Sequence, residues 1–241
     1  IMKNQMLYRE LAKYYDLIYS YKDYKKEAGI IRKIISKYKK SGGNGLLEAG
    51  CGTGKHLKYF ERAFNCTGID VNEGMLRIAK KNAKRTFFKK NDMVNFNLNK
   101  RFDVILSLFS SIGYVRTYKN LEKTICNFSR HLKSGGVLVI EPWLTKKNFR
   151  AGTPHMATFD SKNIKIARLN ISRIKNDISV IDMHYLIAEK NKEVKHFIDR
   201  HELGLFNINR TLEIMKKEGF EARFSKNGLM KDRGLFIGVK K

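Results

Sequence analysis

The chain has 241 residues, of which 42% are hydrophobic and 11% aromatic, which suits one large α/β domain with room for an inserted lobe. It contains no run of 18 or more apolar residues and no secretory signal pattern, so we expect an unprocessed, cytoplasmic protein without a membrane partner. The three cysteines show no metal-ligand spacing. They are predicted to be reduced thiols, and no bound metal is expected.

The formal net charge of +26 is compatible with a nucleic-acid partner, with a substrate that carries a diphosphate, or with a general bias toward lysine. The lysines are spread through nearly every segment of the chain. No basic patch with interleaved aromatic residues and no recognised nucleic-acid motif stands out. From the charge alone, all three explanations stay open.

The first part of the chain predicts a helical cap followed by a parallel sheet. Apolar residues at helical spacing over 8–40, with a glycine-rich loop at 41–45, place the cap in residues 1–44. Apolar strands then alternate with helices across 45–143, as in a parallel sheet covered on both faces. The strands are predicted at 46–50, 66–70, 86–91, 102–109 and 136–142, and the helices at 54–64, 73–84 and 118–132.

The second part predicts an inserted β lobe and a return to the main sheet. Segments 164–174, 178–189 and 194–205 are polar, partly alternating and β-branched, so they indicate three antiparallel strands within a lobe at 144–206. A helix and two terminal strands within 207–241 complete the main sheet. They are predicted at 208–218, 220–226 and 233–239.

The run at residues 46–54, LLEAGCGTG, is a short apolar strand that ends in a GxGxG turn. Glycines at Gly50, Gly52 and Gly54 let the backbone approach a ligand closely, although dinucleotide enzymes use such a turn as well. The next strand ends in Asp70, about 20 residues on, where a carboxylate can accept the hydroxyls of a ribose. The third strand ends near Asp92, a candidate contact for an adenine amino group.

Together these strand ends favour S-adenosylmethionine over a dinucleotide as the bound cofactor. Met93 is expected to pack on the adenine ring. A purely structural role is the alternative at each position, since Asp70 can cap the following helix and Asp92 can be an ordinary turn residue.

An acceptor is expected beside segment 110–114, SSIGY, which follows the fourth strand. Methyl transfer needs alignment and exclusion of water more than covalent help, and Tyr114 is a candidate for orienting the nucleophile. The alternative is that Tyr114 is a packing aromatic. His184, His196 and His201 lie on the inserted strands, where alternation sends neighbours to opposite faces, so we expect at most one of them in the cleft.

Several short motifs resemble the dTDP-3-amino-sugar N,N-dimethyltransferases. They are YDLIY at 15–19, GCGTGKH at 50–56, FSSIGY at 109–114, EPW at 141–143 and GLFIG at 234–238. The likeness runs from about residue 8 to the end of the printed sequence and includes the inserted strands. It implies a Rossmann-like class I methyltransferase fold over 1–241, with a mostly parallel seven-stranded sheet, helices on both faces and a small inserted antiparallel β lobe.

The resemblance also implies roles for single residues. Tyr19 matches a tyrosine near the donor and the reacting centre, Tyr114 matches a residue beside the acceptor amine, and Arg233 matches an arginine that approaches the sugar nucleotide. Tyr19 and Tyr114 are therefore the predicted catalytic residues. The predicted cofactor contacts are Tyr19, Glu48, Gly50, Cys51, Gly52, Gly54, Asp70, Val71, Met75, Asp92, Met93 and Phe109, and the predicted substrate contacts are Ser111, Tyr114, Trp143, His184 and Arg233.

Three features depart from the pattern of the group. Asp70 stands where a longer glutamate is expected, and Glu48 stands where relatives often carry aspartate. The glycine-rich lid expected after Tyr19 is replaced by SYKDY at 20–24.

The sequence therefore predicts an S-adenosylmethionine-dependent methyltransferase that N-methylates a small-molecule amine, such as that of a nucleotide-linked amino sugar, and releases S-adenosylhomocysteine. The alternatives are methylation of RNA or protein, and a binding protein without turnover. The first alternative lacks an Asn-Pro-Pro-Tyr-type tetrapeptide after the fourth strand, where residues 107–110 read SLFS. A closed pocket would favour a small acceptor and an open basic groove would favour RNA. Monomer and homodimer are both compatible with the sequence.

Overall fold

A computed structural model of the protein describes residues 12–241. The first residues of the predicted 8–40 helix, 8–11, lie outside that part. The rest forms two helices, α1 (Ala12–Ile18) and α2 (Tyr24–Tyr38), separated by a turn. The break follows from a capping residue, because the Asp23 carboxylate accepts a hydrogen bond of 2.9 Å from the Lys26 backbone N–H at the start of α2.

Two sheets carry the remaining architecture. In chain order the strands are β1 (Gly45–Ala49), β2 (Asn65–Asp70), β3 (Phe87–Lys90), β4 (Phe102–Ser107), β5 (Leu132–Ile140), β6 (Pro154–Asp160), β7 (Ile164–Lys175), β8 (Ile178–Glu189), β9 (Lys195–Gly204), β10 (Phe220–Ser225) and β11 (Leu235–Lys240). The later helices are α3 (Leu57–Phe60), α4 (Glu73–Asn82), α5 (Tyr118–His131) and α6 (Ile208–Lys217), with a short 3-10 helix at Ser111–Val115.

The main sheet has seven strands in the order β10-β11-β5-β4-β1-β2-β3. Strands β1 to β5 run parallel, and β11 is antiparallel to both β5 and β10. The predicted Rossmann-like fold is confirmed. Because the chain moves outward from β1 in both directions, the carboxyl ends of β1 and β4 flank the crevice where open α/β sheets bind ligands.

The second sheet is an antiparallel meander of β6, β7, β8 and β9, called the lobe below. The expectation of three strands was wrong, because residues 154–160 form a fourth. This strand lies at the edge of the lobe, begins at Pro154 and is mostly exposed, so it lacks the buried alternation that marks the other three.

Two predicted boundaries also differ from the structure. The helix predicted at 54–64 is a single turn, Leu57–Phe60, because Gly54 has φ +71° and keeps the preceding residues in the turn. The strand predicted at 136–142 begins earlier, at Leu132, directly after α5. Gly135 lies within that strand with φ +72°.

Apolar clusters cover both faces of the main sheet and join the lobe to it. On one face the fully buried Phe128 packs with α5 and α6 residues, and on the other Phe60 packs with α2 and α3 residues. Each such side chain contributes about 2 to 3 kcal/mol by leaving water. A third cluster includes Tyr15 of α1, Met75 of α4 and Tyr185 of the lobe, so α1 bridges the lobe and the sheet. Within residues 12–241, no helix is both long and apolar enough to cross a bilayer.

Candidate active site

A cavity of about 560 Å³ lies at the carboxyl ends of the parallel strands, beneath α1 and the lobe. Its size is typical of small-molecule sites. The predicted site residues that line it are Tyr19, Glu48, Gly50, Cys51, Gly52, Asp70, Val71, Met75, Asp92, Met93, Phe109, Ser111, Tyr114, Trp143 and Arg233. Gly54 and His184 do not line it.

The glycine turn after β1 forms the floor of the cavity. Gly50, Gly52 and Gly54 all have positive φ, at +74°, +52° and +71°. A Cβ on Gly50 would lie 2.6 Å from the Cβ of Ser111, so no other residue fits there. Gly54 instead faces α4, with a Cβ position 3.1 Å from that of Ala79. The glycine at this position therefore allows the loop to pack against α4, and Gly54 does not line the cavity.

The Asp70 side chain links the end of β2 to the glycine turn. Its carboxylate accepts hydrogen bonds from the backbone N–H groups of Gly52 at 2.9 Å and Asn72 at 2.8 Å. Burial raises the pKa of Asp70, and these two hydrogen bonds partly offset that rise. A carboxylate has further lone pairs, so the aligned group can still accept hydroxyl hydrogens from a ribose.

The end of β3 supplies the next part of the wall. The Asp92 carboxylate accepts a hydrogen bond of 2.9 Å from the Val94 N–H, so Asp92 is a turn residue and a cavity residue at once. Beside it the Nδ2 of Asn91 is buried without a hydrogen-bond partner among the described residues. An unpaired amide donor next to Met93 suits the ring nitrogen of a base, although the sequence analysis did not select Asn91.

A buried chain of charged groups runs behind the glycine turn. Lys22 Nζ lies 2.6 Å from Glu27, whose other oxygen lies 2.7 Å from His56 Nε2. His56 Nδ1 lies 3.4 Å from Glu48. Burial lowers the pKa of His56, but the hydrogen bonds to Glu27 and Glu48 outweigh it and raise the pKa to about 9. The imidazole is therefore a cation at neutral pH.

Glu48 itself supports the fit of a cationic ligand. Glu48 lines the cavity, and its Oε2 atom is buried without a hydrogen-bond partner in the described part of the chain. A buried carboxylate oxygen without a partner is costly, and an ammonium group would satisfy it. S-adenosylmethionine carries such a group at its amino acid end, so the residues present fit this cofactor.

The turn between α1 and α2 covers the cavity through Tyr19. Its ring meets Phe109 edge-on, with centroids 5.1 Å apart. The Arg168 guanidinium on β7 donates a hydrogen bond of 3.1 Å to the Tyr19 hydroxyl. The Nε of Arg168 is buried without a hydrogen-bond partner among the described residues, which leaves it available to an anion.

The segment after β4 combines strained backbone with a contact to the half-buried Arg233. Phe109 and Ser110 have left-handed φ values of +49° and +63°, and the Phe109 N–H donates to Glu141 at 2.7 Å. Non-glycine residues in this region concentrate at functional sites. Arg233 donates to the Ser110 hydroxyl at 2.8 Å and lies 4.7 Å from the centroid of the Trp143 ring.

Tyr114 meets the lobe on the opposite side. Its hydroxyl oxygen lies 2.7 Å from His201 Nδ1, and His201 Nε2 lies 2.9 Å from Asp199. His201 and Asp199 are two residues apart on β9 and share its buried face. His201 is thus the histidine that the alternation of the lobe brings to the cavity.

His184 lies on the other face of the lobe. Its side chain is exposed and stacks on His196, with ring centroids 5.6 Å apart. The substrate contact predicted for His184 therefore has no support in the structure. The physical reason is the register of β8, which turns Tyr185 toward the buried face and its neighbour His184 toward solvent.

Sequence reasoning did not single out Asn91, Arg168 and His201, which line the cavity, or Glu27 and Asp199, which contact lining residues from behind. Alternation on β9 could have selected His201 and Asp199 together once the face of Phe197 had been assigned to the core. No local signal marks Arg168, whose partner Tyr19 is 149 positions away. Within residues 12–241, no group of His, Cys, Asp or Glu is arranged to hold a metal ion.

Comparison with known proteins identifies the family of this site. A family model described as a methyltransferase domain matches residues 46–136. The dTDP-3-amino-3,4,6-trideoxy-alpha-D-glucopyranose N,N-dimethyltransferase of Streptomyces venezuelae is 32% identical over 95% of this chain and 97% of its own length. The chain belongs to the class I methyltransferases, in the group of the dTDP-amino-sugar N,N-dimethyltransferases. The family inferred from the sequence motifs is confirmed.

Solved structures agree with this assignment of the methyltransferase. The crystal structure of DesVI from Streptomyces venezuelae has a TM-score of 0.89 and 31% identity, and the match covers 95% of this chain and 98% of that one. SAM-bound CalS10, an amino pentose methyltransferase from Micromonospora echinaspora, has a TM-score of 0.82 and 25% identity over 91% of this chain and 92% of that one. The likeness therefore spans the main sheet and the lobe together.

Proposed function

We propose that the chain N-methylates the amino group of a nucleotide-linked amino sugar, with S-adenosylmethionine as the donor. The observation that carries the proposal is one cavity lined by two kinds of residues. Carboxylates and glycines from the ends of the parallel strands line it together with a tyrosine, a histidine and two half-buried arginines. One relative is a dTDP-amino-sugar N,N-dimethyltransferase and CalS10 is an amino pentose methyltransferase, which supports the same acceptor class.

The donor side is proposed to work through four residues. Asp70 accepts the ribose hydroxyls, Glu48 pairs with the ammonium group, Gly50 leaves room for the amino acid end, and Met93 packs on the adenine. S-adenosylmethionine, when bound, supplies a methyl group activated by a sulfonium cation. The residues of the chain contribute alignment, because methyl transfer gains most from proximity and orientation.

The acceptor side is proposed to hold a sugar and a diphosphate. Arg233 and Arg168 both interact electrostatically with Tyr21, so their guanidinium groups lie at the same end of the cavity. Two half-buried arginines suit a diphosphate, because guanidinium groups bind phosphate oxygens in pairs. Tyr114 then meets the sugar amine, and Tyr19 with Phe109 excludes water above it.

Enclosure of the cavity favours a small acceptor over RNA or protein. Residues of α1, the 3-10 helix and lobe strands β8 and β9 all line it. A nucleotide of RNA would therefore have to be flipped out of its strand and inserted beneath the lobe. The cavity is not an open basic groove, which is the geometry that we would expect for RNA. A cytoplasmic location and the choice between monomer and homodimer stay predictions.

The proposal is tested by incubation with methyl-labelled donor and a panel of nucleotide-linked amino sugars, simple amines and bulk RNA. We expect label in at least one nucleotide-linked amino sugar, with one or two methyl groups added by mass spectrometry. Label confined to RNA or protein would reject the proposed acceptor class. A matched reaction with the same nucleotide sugar lacking the amine should give no product.

A further inference from the structure

Tyr114, His201 and Asp199 lie one behind the other from the cavity into the lobe. The Tyr114 hydroxyl oxygen lies 2.7 Å from His201 Nδ1 in a hydrogen bond, and His201 Nε2 lies 2.9 Å from Asp199 Oδ2 in a close charge contact that lacks hydrogen-bond alignment. The side chains of His201 and Asp199 are only 3% and 0% exposed. A carboxylate buried this deeply is costly unless a proton donor or a cation faces it. The arrangement therefore calls for a role.

The order of the three groups defines a direction for proton movement. Asp199 next to Nε2 favours the imidazole tautomer that carries hydrogen on Nε2. Nδ1 then keeps its lone pair and can accept the hydroxyl hydrogen of Tyr114. The Tyr114 oxygen can accept a hydrogen while it donates its own. A proton arriving at Tyr114 from the cavity thus has a basic nitrogen behind it.

We propose, on the basis of the proposed function, that His201 and Asp199 make Tyr114 the proton acceptor for the substrate amine. The ammonium N–H proton passes to the Tyr114 oxygen as the Tyr114 O–H proton passes to His201 Nδ1. The amine nitrogen keeps the electron pair of its broken N–H bond, and the imidazolium that forms lies against Asp199. Tyr114 is then the catalytic residue, and His201 and Asp199 are positioning residues that act through it.

The chemistry of repeated N-methylation needs such a route. An alkyl amine is largely protonated at neutral pH and has no free electron pair in that state. Each methyl transfer also leaves a positive charge on the nitrogen, so a proton must leave again before a second transfer. Two other titratable groups interact with the trio, namely Tyr15 of α1 with Tyr114 and Tyr185 of β8 with Asp199. The partly exposed Arg116–Glu202 ion pair of 3.2 Å includes the residue that follows His201.

The test separates proton acceptance from hydrogen bonding. In His201→Asn the amide oxygen can accept the Tyr114 hydroxyl hydrogen but cannot take the proton. At about pH 7 we expect kcat to fall about tenfold to a hundredfold, the usual scale of general-base effects, with donor affinity unchanged. At about pH 9.5 the amine is neutral in solution to a much larger extent, so the deficit relative to wild type should shrink to about threefold or less. The Asp199→Asn variant should show the same rescue.

His196→Asn is the matched control, because His196 lies on the exposed face of the same strand. The kcat of this variant should equal that of wild type at both pH values. A wild-type kcat in His201→Asn at pH 7, or a deficit that is equal at both pH values, would overturn the proposal and leave the trio a structural feature. Calorimetric binding of S-adenosylhomocysteine reports whether each variant is folded. If His201→Asn does not fold, the same comparison of kcat at the two pH values is made with Asp199→Asn and Tyr114→Phe. Failure of the wild-type chain to methylate any amino sugar would instead reject the proposed function.

Discussion

At the scale of single residues, the donor side depends most on Asp70. Its two carboxylate oxygens are held by the backbone of Gly52 and Asn72, so the group is oriented before a ribose arrives. Preorganisation of this kind lowers the entropic cost of binding. The side chain is one carbon shorter than the glutamate expected in the group, and its contact with the Gly52 N–H joins it to the glycine turn.

We predict that Asp70→Ala weakens binding of S-adenosylhomocysteine about tenfold to a hundredfold. Hydrogen bonds to a charged group contribute about 1.5 to 3 kcal/mol, and the ribose diol would lose its acceptor. Calorimetric titration measures the change. Asp160→Ala is the control, since Asp160 forms only an exposed ion pair with Lys165 at the lobe edge. Equal affinities in all three proteins would remove the assignment of Asp70 to the ribose.

On the acceptor side, Arg233→Met should raise KM for a nucleotide-linked amino sugar at least about tenfold, because a desolvated guanidinium–phosphate contact is lost. The KM for the donor should change little. Arg130→Met provides a surface control, since Arg130 is exposed on α5. Steady-state kinetics at saturating donor measure both constants. An unaltered KM for the nucleotide sugar in Arg233→Met would contradict a diphosphate contact.

The residues that the sequence predicts well are those at strand ends. Asp70 and Asp92 follow apolar strands at a spacing that the fold imposes, so their meeting at one edge could be inferred. Arg168 and Glu27 meet their partners across 149 and 29 positions of chain. Such contacts follow from how whole elements pack, and no local pattern encodes them. The sequence does not show that His184 lies on the exposed face of the lobe, because the register that decides its face is set by pairing with β9.

At the scale of elements, the buried charged chain fastens four parts of the fold together. Lys22 belongs to the turn after α1, Glu27 to α2, His56 to the loop before α3 and Glu48 to β1. Lys22 also lies 4.1 Å from the centroid of the Phe109 ring. Through Lys22, this network of charged groups fixes the SYKDY turn at 20–24 against the cavity, where a glycine-rich lid is expected in the group.

We predict that this network makes the free energy of unfolding fall between about pH 6.5 and pH 9. The folded pKa of His56 is about 9, above its ordinary 6.5, so the folded state holds the proton more tightly. The stabilisation is complete below pH 6.5 and is lost as pH rises through 9, with an upper size of about 3 kcal/mol.

Chemical denaturation of wild type and His56→Gln at several pH values measures this effect. The difference in unfolding free energy between the two proteins should narrow across that range. Parallel curves would contradict a cationic His56 in the folded protein.

The elements that escaped prediction share a physical cause. Strand β6 is an exposed edge strand, and such strands need no buried face and leave no alternation to detect. The single-turn α3 follows a glycine turn whose backbone is set by contact with α4, and that contact is tertiary. The strands β1 and β4, in contrast, are mostly apolar and buried throughout, and their predicted bounds agree with the structure within two residues.

At the scale of the whole molecule, the net charge of +26 should act on the rate of substrate capture. A field of this sign steers anions, and salt screens it over about 10 Å at 0.1 M ionic strength. We predict that kcat/KM for a nucleotide-linked amino sugar falls about two- to fivefold when salt is raised from about 0.05 M to about 0.5 M. The same amino sugar without its diphosphate is the control and should respond little. Equal salt responses would indicate that the charge is compositional.

The most direct measurement of the central claim is a crystal structure of the protein with S-adenosylhomocysteine and a nucleotide-linked amino sugar. We predict the adenosine between Asp70 and Met93, and the sugar amine within hydrogen-bond distance of the Tyr114 hydroxyl, with its diphosphate against Arg233. A nucleoside bound outside the cavity, or a sugar amine turned away from Tyr114, would contradict the account.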